Sequence, residues 1–117
     1  MPEYVVDCAF CRIIKEFEPG RFRYQDEDVV AFDDINPKAR IHILIVPKEH
    51  VHSVADLPEN GGEIAGKLIM AAKNLADELN IGRSGFRLVF NSGKDSGAEV
   101  DHIHLHLLGG EKLGQMA

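Results

Sequence analysis

The chain contains the sequence Asp101-His-Ile-His-Leu-His-Leu-Leu-Gly-Gly110, in which imidazole and apolar side chains alternate. Successive side chains of an extended strand point to opposite faces, so His102, His104 and His106 share one face at intervals of about 6.5 to 7 Å. The other face carries three apolar side chains, Ile103, Leu105 and Leu107, as expected of a strand packed on a core. A row of three imidazoles buries a sheet poorly but surrounds a reacting group well.

Three interpretations of this row of histidines are open from its residues alone. The first is an ordinary strand with three partly exposed histidines, although His lines apolar faces sparsely. The second is a metal site, because His at positions i and i+2 of a strand is a common zinc geometry. The third is nucleophilic and general acid–base chemistry, because imidazole is half charged near neutral pH and can also form a covalent bond.

Composition limits the class of protein. With 117 residues, 44% of them hydrophobic and 27% charged, we predict a single globular domain spanning residues 1–117. The net charge of −6 does not favour binding to a nucleic-acid polymer, although a local cluster of amides and imidazoles could hold a nucleotide-sized anion. There is neither a run of 18 apolar residues nor a basic start followed by a hydrophobic stretch. We therefore predict no membrane span and no secretory signal, and a cytoplasmic location.

The two cysteines lie close together in Cys8-Ala-Phe-Cys11. A lone pair at this spacing is a redox couple, half of a metal site, or incidental. A redox couple is expected at the start of a helix that follows a strand, and no obvious strand precedes this pair. Two cysteines cannot complete a tetrahedral zinc site, so a metal would need further ligands, for which His50 and the row of histidines are candidates.

Apolar spacing predicts the elements before the midpoint of the chain. Asp7 is a plausible N-cap for a first helix of about ten residues, which the sequence Pro19-Gly20 ends. Its apolar stripe consists of Phe10, Ile13, Ile14 and Phe17. Short strands are predicted over 22–25 and 29–32, followed by an almost continuous apolar strand over 41–46 that Pro47 ends.

The second half adds one long helix and two strands. Apolar residues recur every three to four positions over 63–79, and residues 80–82 end this helix. A strand is predicted over 86–90, and a glycine-rich loop over 91–97 leads into the histidine strand. The small residues of this loop let backbone N–H groups approach a phosphate, although a plain surface turn has the same composition. The order of elements predicts an α+β fold with an antiparallel sheet of about five strands.

His42 is the other unusual residue, because it interrupts the apolar strand over 41–46. A hydrogen-bonded core histidine is the commoner outcome at such a position. If this strand lies beside the histidine strand, His42 instead becomes a partner that orients one of the imidazoles.

The segment from His102 to Leu108 resembles the signature of the histidine triad family, three histidines alternating with apolar residues and followed by a further apolar residue. Further segments resemble the family in the same order, namely residues 10–14, residues 31–37, His42 ahead of residues 46–50, residues 91–93 and residues 108–110. The closing Gly109-Gly110 points to the Hint branch, the nucleoside phosphoramidases. The resemblance implies a HIT-like fold with one short and one long helix, and a homodimer whose sheets join.

The resemblance also implies roles for individual residues. His104 would attack the α-phosphorus and become nucleotidyl-histidine, with His102 and His106 flanking it and His42 supporting them from the adjacent strand. The apolar slot for a purine base would be formed by Phe10, Ile13, Phe32 and Ile35. The ribose would be bound by Asp34, and the phosphate would lie against Asn91, Gly97, Ala98 and Glu99 together with His104 and His106. The implied substrate is a purine nucleoside phosphoramidate, and no metal is required for the bond-making step.

Some members of the family carry a structural zinc, and this chain has matching residues. Cys8, Cys11 and His50 are predicted to share that zinc with His102 as the fourth ligand. The sharpest departure from the family is at Ala98-Glu99, where Hint proteins usually carry Gln followed by Ser or Thr. Two other functions stay open: a metal-dependent phosphohydrolase in which the histidines bind a catalytic ion that activates water, and a nucleotide-binding sensor or adaptor with little turnover.

Overall fold

The computed structural model of the protein describes residues 8–15 and 22–116. Two helices and five strands lie in these ranges: α1 (Ala9–Lys15), β1 (Tyr24–Gln25), β2 (Val29–Asp33), β3 (Ile41–Pro47), α2 (Gly62–Glu78), β4 (Phe86–Phe90) and β5 (Leu105–Gly109). Short 3₁₀ turns occur at Val54–Asp56 and Lys94–Ser96. The strands form one antiparallel sheet in the order β1-β2-β3-β5-β4.

Apart from His42, the central strand β3 is apolar because both of its faces are covered. Ile43 and Ile45 are fully buried in the core beneath α2, whereas Leu44 and Val46 belong to a second buried cluster with residues of α1. This alternation explains why an almost continuous apolar run forms a strand in an antiparallel sheet, where one solvated face is common. The sheet is therefore a central layer with α2 on one face and α1 on the other.

Helix α2 is the main packing partner of the sheet, and its buried side is made of Leu68, Ala71, Ala72, Leu75 and Ala76. Its end forms a Schellman motif, since the N–H of Ile81 donates to the carbonyl of Ala76 and the N–H of Asn80 donates to that of Asp77. Asn80 takes the left-handed conformation (φ 61°) that this motif needs, and Ile81 turns into the core. The predicted stop at residues 80–82 thus has a physical cause.

The fold class predicted from the sequence is confirmed, with differences at the ends of elements. Strand β1 covers only Tyr24–Gln25 of the predicted 22–25, and α2 is displaced by one residue from the predicted 63–79. The predictions for Asp7, Phe17 and Pro19-Gly20 fall outside the described residues. No helix in the described part of the chain is both long and apolar enough to span a membrane.

The largest difference concerns the histidine strand, whose regular pairing begins only at Leu105. Pro47 has no N–H to donate to a strand beside it, and the N–H of Ile103 donates outside the sheet, to the carbonyl of Val51 (2.7 Å). His102 and His104 therefore precede the strand, and only His106 lies within it. The prediction that all three histidines stand on one regular strand is wrong in this respect.

Candidate active site

A cleft of about 440 Å³ opens beside the α1 face of the sheet. Among the sequence-predicted nucleotide-binding residues, nine line it: Phe10, Asp34, Ile35, Asn91, Gly97, Ala98, Glu99, His104 and His106. His42, predicted to support the histidines, lines it as well. The structure thus brings residues from six separate segments of the chain to one concavity.

The register of the sheet explains this convergence. His106 of β5 lies opposite Leu44 of β3 and Val89 of β4, and His42 lies opposite Leu108. Directly opposed residues of an antiparallel pair point to the same face, so these side chains form one surface. That surface is the floor of the cleft.

His104 is held by one hydrogen bond that fixes its chemistry. Its Nδ1 lies 2.7 Å from the carbonyl oxygen of His102, and a carbonyl only accepts, so Nδ1 carries the proton. The lone pair of neutral His104 is therefore on Nε2. The residue is only 7% exposed, and its ring meets the ring of Phe10 edge to face, with centroids 5.1 Å apart. A neutral imidazole with a lone pair on Nε2 is the form in which a histidine can act as a nucleophile.

His42 and His106 form a hydrogen-bonded pair whose polarity is set by the backbone. The N–H of Lys38 donates to Nδ1 of His42 (3.0 Å), so the proton of neutral His42 is on Nε2. That Nε2 lies 2.9 Å from Nδ1 of His106 and donates to it. Because Nδ1 of His106 is occupied, Nε2 is the ring nitrogen that can hydrogen-bond to a molecule in the cleft.

Burial favours the neutral form of both rings of this pair. Desolvation lowers the pKa of His42 and, together with the charges that His104 and His42 would carry, lowers the pKa of His106 to about 4. The carboxylate of Asp34 acts in the opposite direction on both rings. An anion bound in the cleft would also raise these pKa values, because an opposite charge favours the protonated imidazole.

The residues predicted to hold a base are arranged in two layers. Phe10 and Ile35 line the cleft, and the Ile35 side chain is 88% exposed at its mouth. Phe32 does not line the cleft but packs edge to face against Phe10 from behind, with centroids 5.6 Å apart. Ile13 lies outside the lining too, half-exposed on α1. These two positions are where the structure departs from the predicted slot.

The loop after β4 supplies backbone groups to the cleft. Gly93 (φ 85°) and Gly97 (φ 86°) flank the 3₁₀ turn and take a conformation that side chains disfavour. Ser96 stabilises the turn from within, because its hydroxyl donates to the carbonyl of Gly93 (2.6 Å) and accepts the N–H of Ala98 (3.3 Å). Glu99 lines the cleft as an exposed residue.

A second cluster lies next to the cleft and joins the two cysteines to two histidines. The Nδ1 of His102 is 3.3 Å from Sγ of Cys8, 3.5 Å from Sγ of Cys11 and 3.2 Å from Nδ1 of His50, and Cys11 Sγ is 3.3 Å from that same His50 nitrogen. A tetrahedral zinc with two sulfur and two nitrogen ligands requires separations of about 3.3 to 3.8 Å between its ligand atoms. The measured distances fit these edges closely.

The protonation of His102 also fits a metal. Its Nε2 lies 2.9 Å from the carbonyl oxygen of Pro47, so Nε2 carries the proton and the lone pair of Nδ1 points into the cluster. Cys8, Cys11 and His102 are buried, and His50 is partly buried. The four residues that the sequence predicted as metal ligands could therefore hold a metal ion together.

Asp34, His42 and His106 also lie close enough to share an ion, but their protons argue against it. His42 accepts the N–H of Lys38 on Nδ1, so its Nε2 holds a proton where a metal would have to bind. This arrangement suits proton transfer better than metal ligation.

Sequence reasoning missed several residues of the cleft: Asn36, Lys38, Leu44, Val89, Val100 and Leu108. The three strand residues among them could have been found from register, since they stand opposite a histidine or on the same face. Lys38 gave no signal, because its contribution to His42 is a backbone N–H.

Comparison with known proteins agrees with the fold. Residues 16–113 match the model of the HIT domain. The chain is 41% identical over 110 residues to the purine nucleoside phosphoramidase of Escherichia coli (strain K12), covering 94% of this chain and 92% of that protein. It is 40% identical to an uncharacterized HIT-like protein of Buchnera aphidicola, covering 92% of this chain and 96% of that protein.

Solved structures give the same result. A histidine triad protein from Clostridium difficile has a TM-score of 0.92 at 38% identity, covering 98% of this chain and all of that one. A HIT family hydrolase from Legionella pneumophila has a TM-score of 0.87 at 39% identity, covering 92% and 96%. The α+β fold and these relatives place the protein among the hydrolases. The chain belongs to the histidine triad family, and the predictions of the family and of a hydrolase are confirmed.

Proposed function

We propose that this protein is a nucleoside phosphoramidase that cleaves the P–N bond of purine nucleoside phosphoramidates through a covalent nucleotidyl-His104 intermediate. The observation that carries the proposal is the hydrogen bond from Nδ1–H of His104 to the His102 carbonyl, which places the lone pair of the neutral ring on Nε2. The relative from Escherichia coli is named for this activity. The proposal extends that activity to this chain and assigns it to particular atoms.

Binding of the substrate is assigned to the walls of the cleft. The base lies between Phe10 and Ile35, which can grip adenine or guanine through apolar contact. The carboxylate of Asp34, a hydrogen-bond acceptor, receives the ribose hydroxyls. The phosphate lies against Asn91 and the backbone of residues 97–99, where the small residues admit close approach.

The reaction then uses two histidines. The lone pair of His104 Nε2 forms a bond to the α-phosphorus while the P–N bond breaks. The departing nitrogen takes its electron pair and a proton from Nε2 of His106, which enters this step as a cation protonated from solvent and leaves it neutral. Water next attacks the phosphorus, its proton passes to His106, and the nucleotide leaves His104. Positioning and charge stabilisation supply most of the catalysis in phosphoryl transfer, and both are available from imidazoles and backbone amides.

We assign the second cluster to a structural zinc held by Cys8, Cys11, His50 and His102. Bound there, zinc would join α1 to the segment before β5, a crosslink that stabilises the fold. The metal is not needed for the bond-making step. The cluster matters to the chemistry only through His102, whose carbonyl orients the nucleophile.

Three broader properties complete the proposal. The protein acts as a homodimer whose sheets join, for which β4, at the edge of the sheet in the described part of the chain, provides a strand able to pair. It works in the cytoplasm, which agrees with two neighbouring cysteines that form no disulfide. Its substrate is a small nucleotide and not a nucleic-acid polymer, in keeping with the net charge of −6.

The proposal is tested by incubating the protein with an adenosine 5′-phosphoramidate and measuring AMP release with and without a chelator. Turnover that survives chelation is expected. Turnover abolished by the chelator, with circular dichroism showing the protein still folded, would instead indicate a metal-dependent phosphohydrolase. Binding of AMP without turnover would indicate a sensor or adaptor.

A further inference from the structure

Asp34 is held more firmly than ribose binding alone requires. One oxygen, Oδ1, accepts the N–H of Asn36 (2.8 Å), and the backbone N–H of Asp34 donates to the carbonyl of His42 (2.9 Å). The other oxygen, Oδ2, lies 3.4 Å from Nε2 of His42, and the side chain is 18% exposed. The carboxylate is thus fixed beside an imidazole that the substrate does not need to touch.

His42 therefore has one N–H and two acceptors. Its Nε2–H faces Nδ1 of His106 at 2.9 Å and Oδ2 of Asp34 at 3.4 Å, while its Nδ1 is occupied by the N–H of Lys38. In the resting state the shorter contact holds the proton. The longer contact, to Asp34 Oδ2, offers the same N–H an alternative hydrogen-bond acceptor.

The acid step makes this second acceptor necessary. A histidine that gives up a proton and ends neutral must begin as a cation, so His106 has to carry protons on both ring nitrogens before the amine leaves. Its Nδ1–H would then face the Nε2–H of His42 across 2.9 Å, two donors directed at each other. The conflict is relieved only if the N–H of His42 turns to another acceptor, and Asp34 Oδ2 is within reach.

The charges around His106 point the same way. The groups that face it are His104 from the approach to β5, His42 from β3, and Asp34 and Lys38 from the loop between β2 and β3. The facing residue of β4 is Val89, which carries no charge. Of these groups Asp34 alone raises the pKa of His106, against desolvation, the other two histidines and Lys38.

We infer that Asp34 is a positioning residue for the acid step: its carboxylate receives the Nε2–H of His42 and so allows His106 to hold the proton that the leaving amine takes. The inference rests on the proposed function and adds a role beyond the ribose contact. The electron pair of the broken P–N bond and the proton of His106 Nε2 both go to the amine. His106 is left neutral, and Asp34 keeps its charge throughout.

The test compares two leaving groups on the same nucleoside. An adenosine 5′-phosphoramidate of an alkylamine needs a proton to depart, whereas the adenosine 5′-phosphate ester of p-nitrophenol releases a stable phenolate that does not. For Asp34→Asn we expect kcat on the phosphoramidate to fall by about ten-fold or more, and kcat on the ester to change by less than about two-fold. KM should rise equally for both substrates, since they share the ribose.

Asp33→Asn is the matched control. It makes the same change one residue earlier, at an exposed carboxylate that pairs with Arg23 (3.1 Å) and does not line the cleft. Both kcat values are expected to stay at the wild-type level. Equal losses of kcat on the two substrates in Asp34→Asn, or no loss on either, would overturn the inference.

A second readout does not depend on turnover. Calorimetry of AMP binding near pH 6, in buffers of different ionisation enthalpy, measures the protons that the protein takes up with the phosphate. We expect smaller uptake in Asp34→Asn than in the wild type and in Asp33→Asn, whereas a carboxylate that only binds ribose would change the affinity and leave the uptake unchanged. Wild-type protein that releases no AMP contradicts the proposed function, while unchanged proton uptake contradicts only the role of Asp34.

Discussion

The Nδ1–H of His104 donates to the carbonyl oxygen of His102 across 2.7 Å, and the ring of that same His102 is directed into the cluster of Cys8, Cys11 and His50. One residue thus takes part in two sites, through its backbone in the cleft and through its side chain in the cluster. This arrangement determines what should follow from changes on either side of it.

Replacing the nucleophile should separate binding from chemistry. In His104→Ala, hydrolysis of an adenosine phosphoramidate is expected to fall by at least about 10³-fold, because the covalent path is lost, while the affinity for AMP stays within a few-fold. Steady-state kinetics and calorimetry measure the two quantities. His52→Ala, which removes an exposed imidazole outside the cleft, is the control and should match the wild type. Substantial turnover in His104→Ala would contradict the assignment.

Carefully purified protein should contain one zinc per chain. Removal of the metal, or Cys8→Ser, is expected to lower the melting temperature by at least about 5 °C, because binding to four ligands of the folded state stabilises it. Loss of the metal should affect thermal stability more than it affects the rate of the chemical step. Elemental analysis and thermal melts provide the measurements, and His52→Ala should keep its zinc. Absence of stoichiometric metal from the wild-type protein would count against the site.

Glu99 should slow turnover of substrates with uncharged leaving amines. A carboxylate in the cleft repels the charge of the nucleotide, whereas a hydroxyl can donate to it, so Glu99→Ser is expected to gain about ten-fold in kcat/KM. A cationic leaving amine should show a smaller gain, because Glu99 attracts it. Asp95→Ser, at an exposed carboxylate of the 3₁₀ turn outside the cleft lining, is the control. Unchanged kinetics with both leaving groups would contradict this prediction and would mean that the Glu99 carboxylate points into solvent, where it neither repels the nucleotide nor attracts the amine.

Folding stability should decline in mildly acidic solution, in part because of His106. Burial holds its pKa at about 4 in the folded protein, below the value of about 6.5 in the unfolded chain. The unfolded chain therefore binds the proton first, and the stability present above pH 6.5 is lost as the pH falls towards 4. Denaturant unfolding from pH 7 to 4 should show a shallower decline for His106→Gln. Leu44→Ala, which weakens the same cleft without removing a titratable group, should keep the wild-type slope.

The sequence predicted the sheet well because its signals were local. The stop of α2 followed from Asn80 and Ile81, and β3 followed from a run of apolar residues. The start of β5 could not be predicted in this way. It depends on Pro47, which has no N–H to donate, and on Val51, about fifty residues earlier in the chain than Ile103, whose carbonyl accepts the N–H of that residue.

The candidate site also has features that could be predicted from local sequence and features that could not. The chemistry-bearing side chains were found because histidines and cysteines are conspicuous in a sequence. Their protonation could not be predicted, because it depends on backbone groups. The carbonyl of His102 sets the tautomer of His104, the carbonyl of Pro47 sets that of His102, and the N–H of Lys38 sets that of His42. The residue type does not reveal what a backbone group contacts, so the hydrogen bond from the N–H of Lys38 to His42 could be found only from the structure.

Direct trapping of the intermediate is the measurement closest to the proposed mechanism. Wild-type protein is mixed with an adenosine phosphoramidate, quenched in alkali where a phosphorus–nitrogen bond survives, digested, and analysed by mass spectrometry. We predict a nucleotidyl adduct on His104 that His104→Ala lacks. An adduct on any other histidine, or rapid turnover with no adduct at any quench time, would contradict the assignment of His104 as the nucleophile.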